Sequence, residues 1–251
     1  CVTAGADAAQ RLAAYQAGAD DVIARPALDR LLLARVRNLL RGRVDQTAEA
    51  GLAAPGLAEP AAVFEAAGTV ALVSSSMDRA MALRVGLAGH LRDRLVSLSL
   101  SEALETALAG GVDVFVIDLC DGCAASGLRL LSELKSRLAT RHAAVALIGV
   151  DLLGEEAAMA YDLGAEDVGG PSLAVDELAL RLRALMRRKQ ARDRQRLRVA
   201  DGLRLALVDP LTGLHNRRHA GPALRAMAAR AAEGGTGYAV MILDIDRFKT
   251  V

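Results

Sequence analysis

The residues best suited to chemistry stand at positions 244–249, which read Asp-Ile-Asp-Arg-Phe-Lys. They follow an apolar run at residues 238–243 that predicts a strand. Side chains two apart on a strand face the same side, so the carboxylates of Asp244 and Asp246 are expected to share one face. Carboxylates at a strand end suit Mg²⁺, which combines few protein oxygens with substrate phosphates. Because Lys249 adds a positive charge, the run predicts a metal and phosphate site.

A second string, at residues 209–218, is the most specific pattern in the chain and reads Asp-Pro-Leu-Thr-Gly-Leu-His-Asn-Arg-Arg. Asp209 and Asn216 are predicted to be helix caps, with Gly213 in a turn between them. A helix should follow, kinked or restarted at Pro222, and should end at Gly234. An acidic turn after a strand is ordinary by itself, but the two strings together favour a functional site.

Together, these strings resemble the opening of a GGDEF domain, the diguanylate cyclase family. The resemblance implies that the Asp244 carboxylate and the Ile245 carbonyl ligate Mg²⁺ or Mn²⁺. It also implies that the amides of Arg247 and Phe248 contact phosphates, while Lys249 stabilises triphosphate charge in the transition state. The family joins two GTP molecules into cyclic di-GMP across two facing domains, which requires a homodimer.

The family's Gly-Gly-Asp/Glu-Glu-Phe loop does not occur within the 251 residues. We therefore expect this stretch to be inactive as a cyclase by itself. The chain opens at Cys1 without Met and stops just after Lys249, so we expect it to be a piece of a longer protein.

An internal repeat organises the remainder of the chain. Residues 15–22 match residues 161–168, which lie 146 positions further on, and a Pro follows each copy. Basic helical segments at residues 35–41 and 181–187 then match at the same spacing. This spacing suits one domain plus a linker.

Between the copies, residues 69–189 alternate five apolar strands with five helices, which predicts a doubly wound parallel five-stranded sheet. Ser101 is predicted to cap the second of these helices. The predicted strands are residues 69–73, 94–100, 112–117 and 143–150, with a short fifth beginning at 167.

This pattern resembles the flavodoxin-like receiver domains of response regulators. The fold class implied is a complete receiver, a partial receiver and the start of an α+β, palm-like GGDEF domain. The expected segments are residues 1–41 (the end of a first receiver), 42–68 (a linker), 69–189 (a second, degenerate receiver), 190–208 (a stalk helix) and 209–251 (the start of the GGDEF domain).

The resemblance places Asp118 of the second receiver at the phosphoacceptor position. Receivers hold Mg²⁺ with an acidic pair, but Ser74 and Ser75 stand at those positions. Gly149 replaces the phosphate-binding hydroxyl and Gly170 replaces the lysine. Without these groups Asp118 holds Mg²⁺ poorly, so we expect a pseudo-receiver that acts as a dimerisation adaptor.

The first copy keeps Thr3 at the hydroxyl position and has Arg25 in place of the lysine. The resemblance implies that a cognate histidine kinase phosphorylates the first receiver and that the receivers then dimerise. Because residues 1–41 lack the earlier strands of a receiver, we expect them to be mobile or misdocked and to expose an apolar sheet edge and helix face.

Composition limits the other function classes. There are 31 basic and 30 acidic residues, and this net charge of +1 argues against whole-protein attraction to nucleic acid or membranes. Aromatic residues make up only 2%, which disfavours a stacking platform for single strands. No run of about 18 uncharged apolar residues occurs. Three cysteines are too few for a disulfide scaffold, so we expect a soluble cytoplasmic protein.

Three alternatives remain open from the sequence. A degenerate GGDEF domain could serve as a non-catalytic or nucleotide-sensing scaffold. The basic stretch at residues 181–204 could contact DNA, although a solvated stalk helix is favoured and the acidic strand end disagrees with a helix-turn-helix regulator. Cys120 and Cys123 have redox spacing but do not open a helix. The histidines are scattered and suggest no ligand set: His90, His142, His215 and His219.

Overall fold

The computed structural model describes residues 2–4, 8–17, 19, 22–25, 29–50, 67–109, 111–119, 124–209, 211–234 and 237–243. The chain divides into two compact units, residues 1–195 and residues 196–251. The repeat and the predicted receiver sheet belong to the first unit, and the string at residues 209–218 belongs to the second.

The first copy of the repeat folds as two strands and two helices. They are β1 (Val2–Ala4), α1 (Ala8–Gln16), β2 (Ile23–Arg25) and α2 (Asp29–Ala50). β1 and β2 pair in parallel, with Val2 opposite Ile23. Because α2 continues to Ala50, residues 42–50 of the predicted linker are helical.

A five-stranded parallel sheet follows in the same unit, as the sequence predicted. Its strands are β3 (Thr69–Ser74), β4 (Arg94–Leu98), β5 (Val114–Asp118), β6 (Ala144–Ile148) and β7 (Asp167–Val168). Their order across the sheet is β4-β3-β5-β6-β7, the doubly wound arrangement of flavodoxin-like folds. The predicted fold class is therefore confirmed. In such sheets ligands bind beyond the carboxyl ends of the strands where the order reverses, here at β3 and β5.

Five helices connect these strands and leave the sheet. They are α3 (Met77–Ala88), α4 (Leu100–Ala109), α5 (Ala124–Ser136), α6 (Glu155–Asp162) and α7 (Val175–Leu207). Within the described ranges, no helix is both long enough and apolar enough to cross a bilayer. α7 passes without a break from the end of the predicted receiver into the predicted stalk.

The cap of α4 corrects one prediction. The Ser99 Oγ accepts the Glu102 N–H at 3.3 Å, and the Glu102 carboxylate accepts the Ser99 N–H at 2.8 Å. This reciprocal pair is a capping box. The same hydrogen bonds from Ser99, the backbone one foremost, lower the pKa of Glu102. Ser99 therefore caps the helix, Ser101 lies inside it, and β4 ends at Leu98.

Helices cover both faces of the sheet, so the central strands are buried without interruption. Alternate residues of β5 point to opposite faces, as strand geometry requires. Phe115 and Ile117 join an apolar cluster with α5 and α6, while Val114 and Val116 join a second cluster with α7. All four side chains are fully buried. The sheet is thereby a rigid base for the residues at its carboxyl edge.

The repeated sequence is explained by a repeated hydrogen bond. The Tyr161 Oη accepts the Val168 N–H at 3.1 Å, and the Tyr15 Oη accepts the Val22 N–H at 3.2 Å. Seven residues separate donor and acceptor in both copies. Gly164 ends α6 with a φ of 103°, a conformation that side chains rarely adopt. The tyrosine, the glycine and the short strand therefore recur as one structural unit.

The described part of residues 1–41 packs against the helices of the five-stranded sheet. The expectation that this segment is mobile stays a prediction for amide exchange. α2 lies on α6, where Leu31 and Ala34 join the core cluster of the sheet. The Arg35 Nε donates to the Tyr161 Oη at 2.9 Å, and the Asn38 amide donates to the Ala165 carbonyl at 2.7 Å. Small apolar residues and directed polar contacts on one helix face thus hold the first copy in place.

The second unit contains one further helix, α8 (Arg217–Gly234). Pro222 stands inside it, and the helix ends at Gly234 as predicted. The predicted strand at residues 238–243 is wrong in the structure, because this segment pairs with no strand among the described residues. A strand needs a partner for its backbone N–H and C=O groups. Without one, the side chain of Ile242 remains 90% exposed.

Candidate functional site

The carboxylate predicted as a phosphoacceptor lies where the strand order of the sheet reverses. Asp118 ends β5 and is paired directly with Ser74 at the end of β3. Both residues are buried, and the Ser74 Oγ donates to the Asp118 Oδ2 at 3.4 Å. The position matches the ligand-binding crevice expected for this topology.

Arg79 pairs with this carboxylate through two hydrogen bonds. Its Nε lies 2.7 Å from the Asp118 Oδ2, and its Nη2 lies 3.3 Å from the Oδ1. A guanidinium that binds both oxygens of a carboxylate in this way is a strong, geometrically specific partner. The Arg79 side chain is 42% exposed, whereas that of Asp118 is 1% exposed. The cation therefore covers the carboxylate from the solvent side.

Ser74 and Ser76 position the helix start that carries Arg79. The Ser74 Oγ accepts the Ser76 N–H at 3.2 Å, and the Ser76 Oγ accepts the Arg79 N–H at 3.4 Å. Ser76 is thereby the N-cap of α3, and Arg79 is in the first turn of that helix. The strand end, the turn and the helix start form one connected hydrogen-bonded path to the buried carboxylate.

Sequence reasoning missed Arg79, although one signal could have found it. The positive end of the helix dipole lies at the helix N-terminus, where a cation is unfavourable. An arginine in the first turn, immediately after a strand that ends beside an acidic residue, therefore needs a nearby anion. Asp118 is that anion.

The two other positions that the resemblance assigns to phosphate contacts are held by glycines. Gly149 has a φ of 77°, so a serine or threonine would be strained there. A Cβ built on Gly170 would lie 3.3 Å from a methyl carbon of Leu152. The apolar side chain of Leu152 therefore lies next to Gly170, the position at which the resemblance calls for lysine. The structure brings together Asp118, Ser74 and the guanidinium of Arg79.

In the first copy, the two predicted switch positions lie on neighbouring strands. Thr3 is the central residue of β1, and Arg25 is the last residue of β2. The parallel register places Thr3 opposite Ala24 and Ala4 opposite Arg25. Their backbones are therefore one register position apart, while their side chains lie outside the described part of the structure.

The string at residues 209–218 folds as a closed turn. The Asp209 Oδ1 accepts the N–H and the hydroxyl of Thr212, each at 2.9 Å, and these hydrogen bonds lower the pKa of Asp209. The Asn216 Oδ1 accepts the Arg218 N–H at 2.9 Å and caps α8, which confirms that prediction. Asp209 was predicted to cap a helix but instead caps the turn, which contains Gly213.

The predicted cyclase ligands Asp244, Ile245, Arg247, Phe248 and Lys249 lie outside the described residues. So do both cysteines of the run from 120 to 123. In the described ranges, no group of three or more His, Cys, Asp or Glu side chains could hold a metal ion. Two of the apparently scattered histidines, His215 and His219, stack with ring centroids 3.7 Å apart.

Comparison with known proteins finds a family similarity within the second unit. Residues 206–251 match the family model for the GGDEF domain of diguanylate cyclases. This match begins just before the turn at Asp209 and covers the predicted metal and phosphate run. It confirms the family resemblance carried by the two sequence strings.

Comparison with individual proteins extends the similarity over the rest of the chain. The chain is 30% identical over 247 residues to the response regulator PleD of Caulobacter vibrioides, from strain NA1000 / CB15N and from strain ATCC 19089 / CIP 103742 / CB 15. The alignment covers 96% of this chain and 54% of each relative. The chain thus spans about half the length of the curated relatives that it matches.

Solved receiver domains also resemble the chain. A signal receiver domain of an HD domain-containing protein from Pseudomonas fluorescens Pf-5 is 20% identical, with a TM-score of 0.45, covering 55% of this chain and 98% of that one. A histidine kinase receiver domain from Clostridium thermocellum is 14% identical, with a TM-score of 0.43, covering 47% of this chain and 97% of that one.

Proposed function

We propose that this chain is part of a response-regulator diguanylate cyclase, which condenses two GTP molecules into cyclic di-GMP in the cytoplasm. The observation that carries the proposal is the GGDEF match over residues 206–251. The closed turn at Asp209 and the capped start of α8 give that match a folded beginning. The protein would act as a homodimer because each GTP is held by a different GGDEF domain.

The reaction site is proposed to lie in the run from 244 to 249. Oxygen donors of the Asp244 carboxylate and the Ile245 carbonyl suit Mg²⁺ or Mn²⁺, which when bound would neutralise phosphate charge. The amides of Arg247 and Phe248 would orient the phosphates by donating hydrogen bonds. Lys249 would stabilise the negative charge that grows when a 3′-hydroxyl attacks the α-phosphate and pyrophosphate leaves.

We further propose that the two receivers have different roles. The first receiver would accept phosphate from a cognate histidine kinase, with Thr3 and Arg25 contacting the phosphoryl oxygens. The second receiver would be a dimerisation adaptor that does not accept phosphate. Its buried Asp118 is covered by Arg79, and the positions that the resemblance assigns to the acidic pair and the lysine hold Ser74, Ser75 and Gly170.

The activity is tested on the full-length protein with GTP and Mg²⁺, with cyclic di-GMP measured by chromatography. Asp244→Ala should lower the rate at least about 100-fold, because loss of a metal ligand removes charge stabilisation worth several kcal/mol. The control is Asp201→Ala, which removes an exposed carboxylate on α7 and should leave the rate unchanged. Full activity in Asp244→Ala would overturn the assignment of this residue.

A full-length protein that forms no cyclic di-GMP would overturn the cyclase proposal. In that case GTP binding, followed by calorimetry, would separate a nucleotide-sensing scaffold from a protein with no nucleotide site.

A further inference from the structure

The charged group that faces Asp118 belongs to the protein itself. Receivers, by the resemblance described above, bring Mg²⁺ to the acceptor carboxylate with an acidic pair. In this chain Ser74 and Ser75 stand at those positions, and the guanidinium of Arg79 contacts both carboxylate oxygens. The guanidinium thereby places a positive charge directly against the buried carboxylate.

We propose that Arg79 is a built-in cation that takes the place of a metal ion at the buried carboxylate of the second receiver. The inference rests on the adaptor role proposed for this domain, and it explains how the domain keeps a buried carboxylate without a metal. A buried charge is costly unless it is paired and hydrogen-bonded. The guanidinium and the Ser74 hydroxyl together meet this need.

The burial of the two partners predicts which substitution does more harm. Asp118 is almost fully enclosed, whereas the Arg79 side chain is 42% exposed. Removal of the arginine takes a bidentate cationic partner away from a buried carboxylate, which is strongly unfavourable. Removal of the carboxylate leaves an arginine that can turn towards water, which costs less.

The test is a double-mutant cycle on the 251-residue chain, followed by thermal unfolding. Arg79→Ala should lower the unfolding midpoint by roughly 4–8 °C, and Asp118→Asn should lower it by less. In the Arg79→Ala background, however, Asp118→Asn should raise the midpoint, because it removes a buried negative charge that has lost its guanidinium partner. This reversal of sign is specific to a charge pair.

The matched control is Arg84→Ala on the same helix. Arg84 is exposed and makes no ion pair among the described residues, so its loss should leave the midpoint within about 1 °C. Additive effects of Arg79→Ala and Asp118→Asn, with no reversal, would overturn the inference. A rise in the wild-type midpoint on adding about 10 mM Mg²⁺ would also overturn the inference if that rise disappears in Asp118→Asn.

Labelling with acetyl phosphate separates this inference from the adaptor role on which it rests. Phosphorylation of wild-type Asp118, detected by mass spectrometry and absent in Asp118→Asn, would overturn the adaptor role. An unlabelled Asp118 combined with additive unfolding effects would leave the adaptor role standing and reject Arg79 as the substitute cation.

Discussion

The two copies of the repeat have similar helices but bury them differently. In the second copy, Leu182 and Met186 on α7 are 2% and 5% exposed and pack against β3, β5 and β6. Their counterparts 146 positions earlier, Val36 and Leu40 on α2, are 40% and 53% exposed. An amphipathic sequence therefore gives a helix an apolar face that can pack on a sheet. Whether that face is buried depends on whether strands lie beneath the helix.

The opposite faces of the two helices are alike. Arg35 and Arg181 occupy the same repeat position, and both are buried. Arg35 lies over the Tyr161 ring at 5.8 Å, and Arg181 lies over the Tyr15 ring at 5.2 Å. The copies therefore contact each other in a reciprocal, approximately two-fold manner.

This reciprocity is broken by charge at one pair of positions. Arg11 forms a 3.1 Å ion pair with Glu177, which is 1% exposed. The corresponding positions in the other direction are Ala157 and Leu31, and both are buried in the apolar core. One side of the contact is thus ionic and the other apolar, which distinguishes the first copy from the second.

The largest expected effect tests the difference in burial directly. Leu182→Ala removes a side chain from the core beneath the sheet and should lower the free energy of unfolding by about 2–5 kcal/mol. Leu40→Ala makes the same chemical change on the exposed face of the first copy and should cost less than about 1 kcal/mol. Urea denaturation measures both. Equal losses would mean that α2 rests on an apolar partner as α7 does.

A smaller effect tests the repeated tyrosine. Tyr161→Phe removes an oxygen that accepts hydrogen bonds from the Val168 N–H and from Arg35. Because both donors are buried, the expected loss is about 1–3 kcal/mol. Tyr15→Phe removes the acceptor of the partly buried Val22 N–H and should cost about 0.5–1.5 kcal/mol. Hydrogen exchange of the Val168 and Val22 amides reports each site, and a larger effect at Tyr15 would reverse the comparison.

The smallest effect concerns an ion pair of Lys189, in the middle of α7. The Lys189 Nζ lies 2.7 Å from the Asp113 Oδ1, and Asp113 also accepts the Thr69 N–H. Burial lowers the pKa of Lys189, but hydrogen bonds and charges from Asp113 and Asp193 outweigh it, so the pKa is raised. A raised pKa stabilises the fold below the unfolded-state pKa of about 10.4, and this stability is lost as pH rises through the folded-state value.

Lys189→Met should therefore cost less than about 1 kcal/mol at neutral pH, and its difference from wild type should shrink above about pH 10. Urea denaturation across that pH range measures the change. Arg187→Met, an exposed position on the same helix, is the control because arginine stays charged throughout. A difference that grows with pH would contradict the raised pKa.

The fold was predictable because its signals are local and repeated. Continuous apolar strands such as β5 and the matching copies around Tyr15 and Tyr161 specify a parallel sheet without long-range information. The capping serine was misplaced because Ser99 and Ser101 are equivalent by type, and only the position of Glu102 relative to the strand end distinguishes them. The segment at residues 238–243 has the composition of a strand, but strand formation depends on a partner that local sequence does not provide.

The candidate site was predictable in part. The loss of the acidic pair at Ser74 and Ser75 could be read from spacing, and the turn around Asp209 from its residue types. Spacing and residue type alone do not identify Arg79, because its role depends on α3 starting where it directs a first-turn side chain back over β5. The signal that points to it is a cation in the first turn of a helix, where the dipole disfavours positive charge. Arg79 stands at a different position from the acidic pair of receivers. A position-by-position comparison with the receiver pattern therefore does not single it out.

The left-handed backbone at Gly149 has an evolutionary consequence. A hydroxyl side chain there would meet a conformational penalty of about 1–2 kcal/mol before it could contribute any phosphate contact. A single reverting substitution would therefore weaken the domain and return no activity, since Arg79 would still cover Asp118. The phosphate contacts that the resemblance describes would therefore require several simultaneous substitutions, because a hydroxyl at position 149 alone adds strain while Arg79 still covers Asp118.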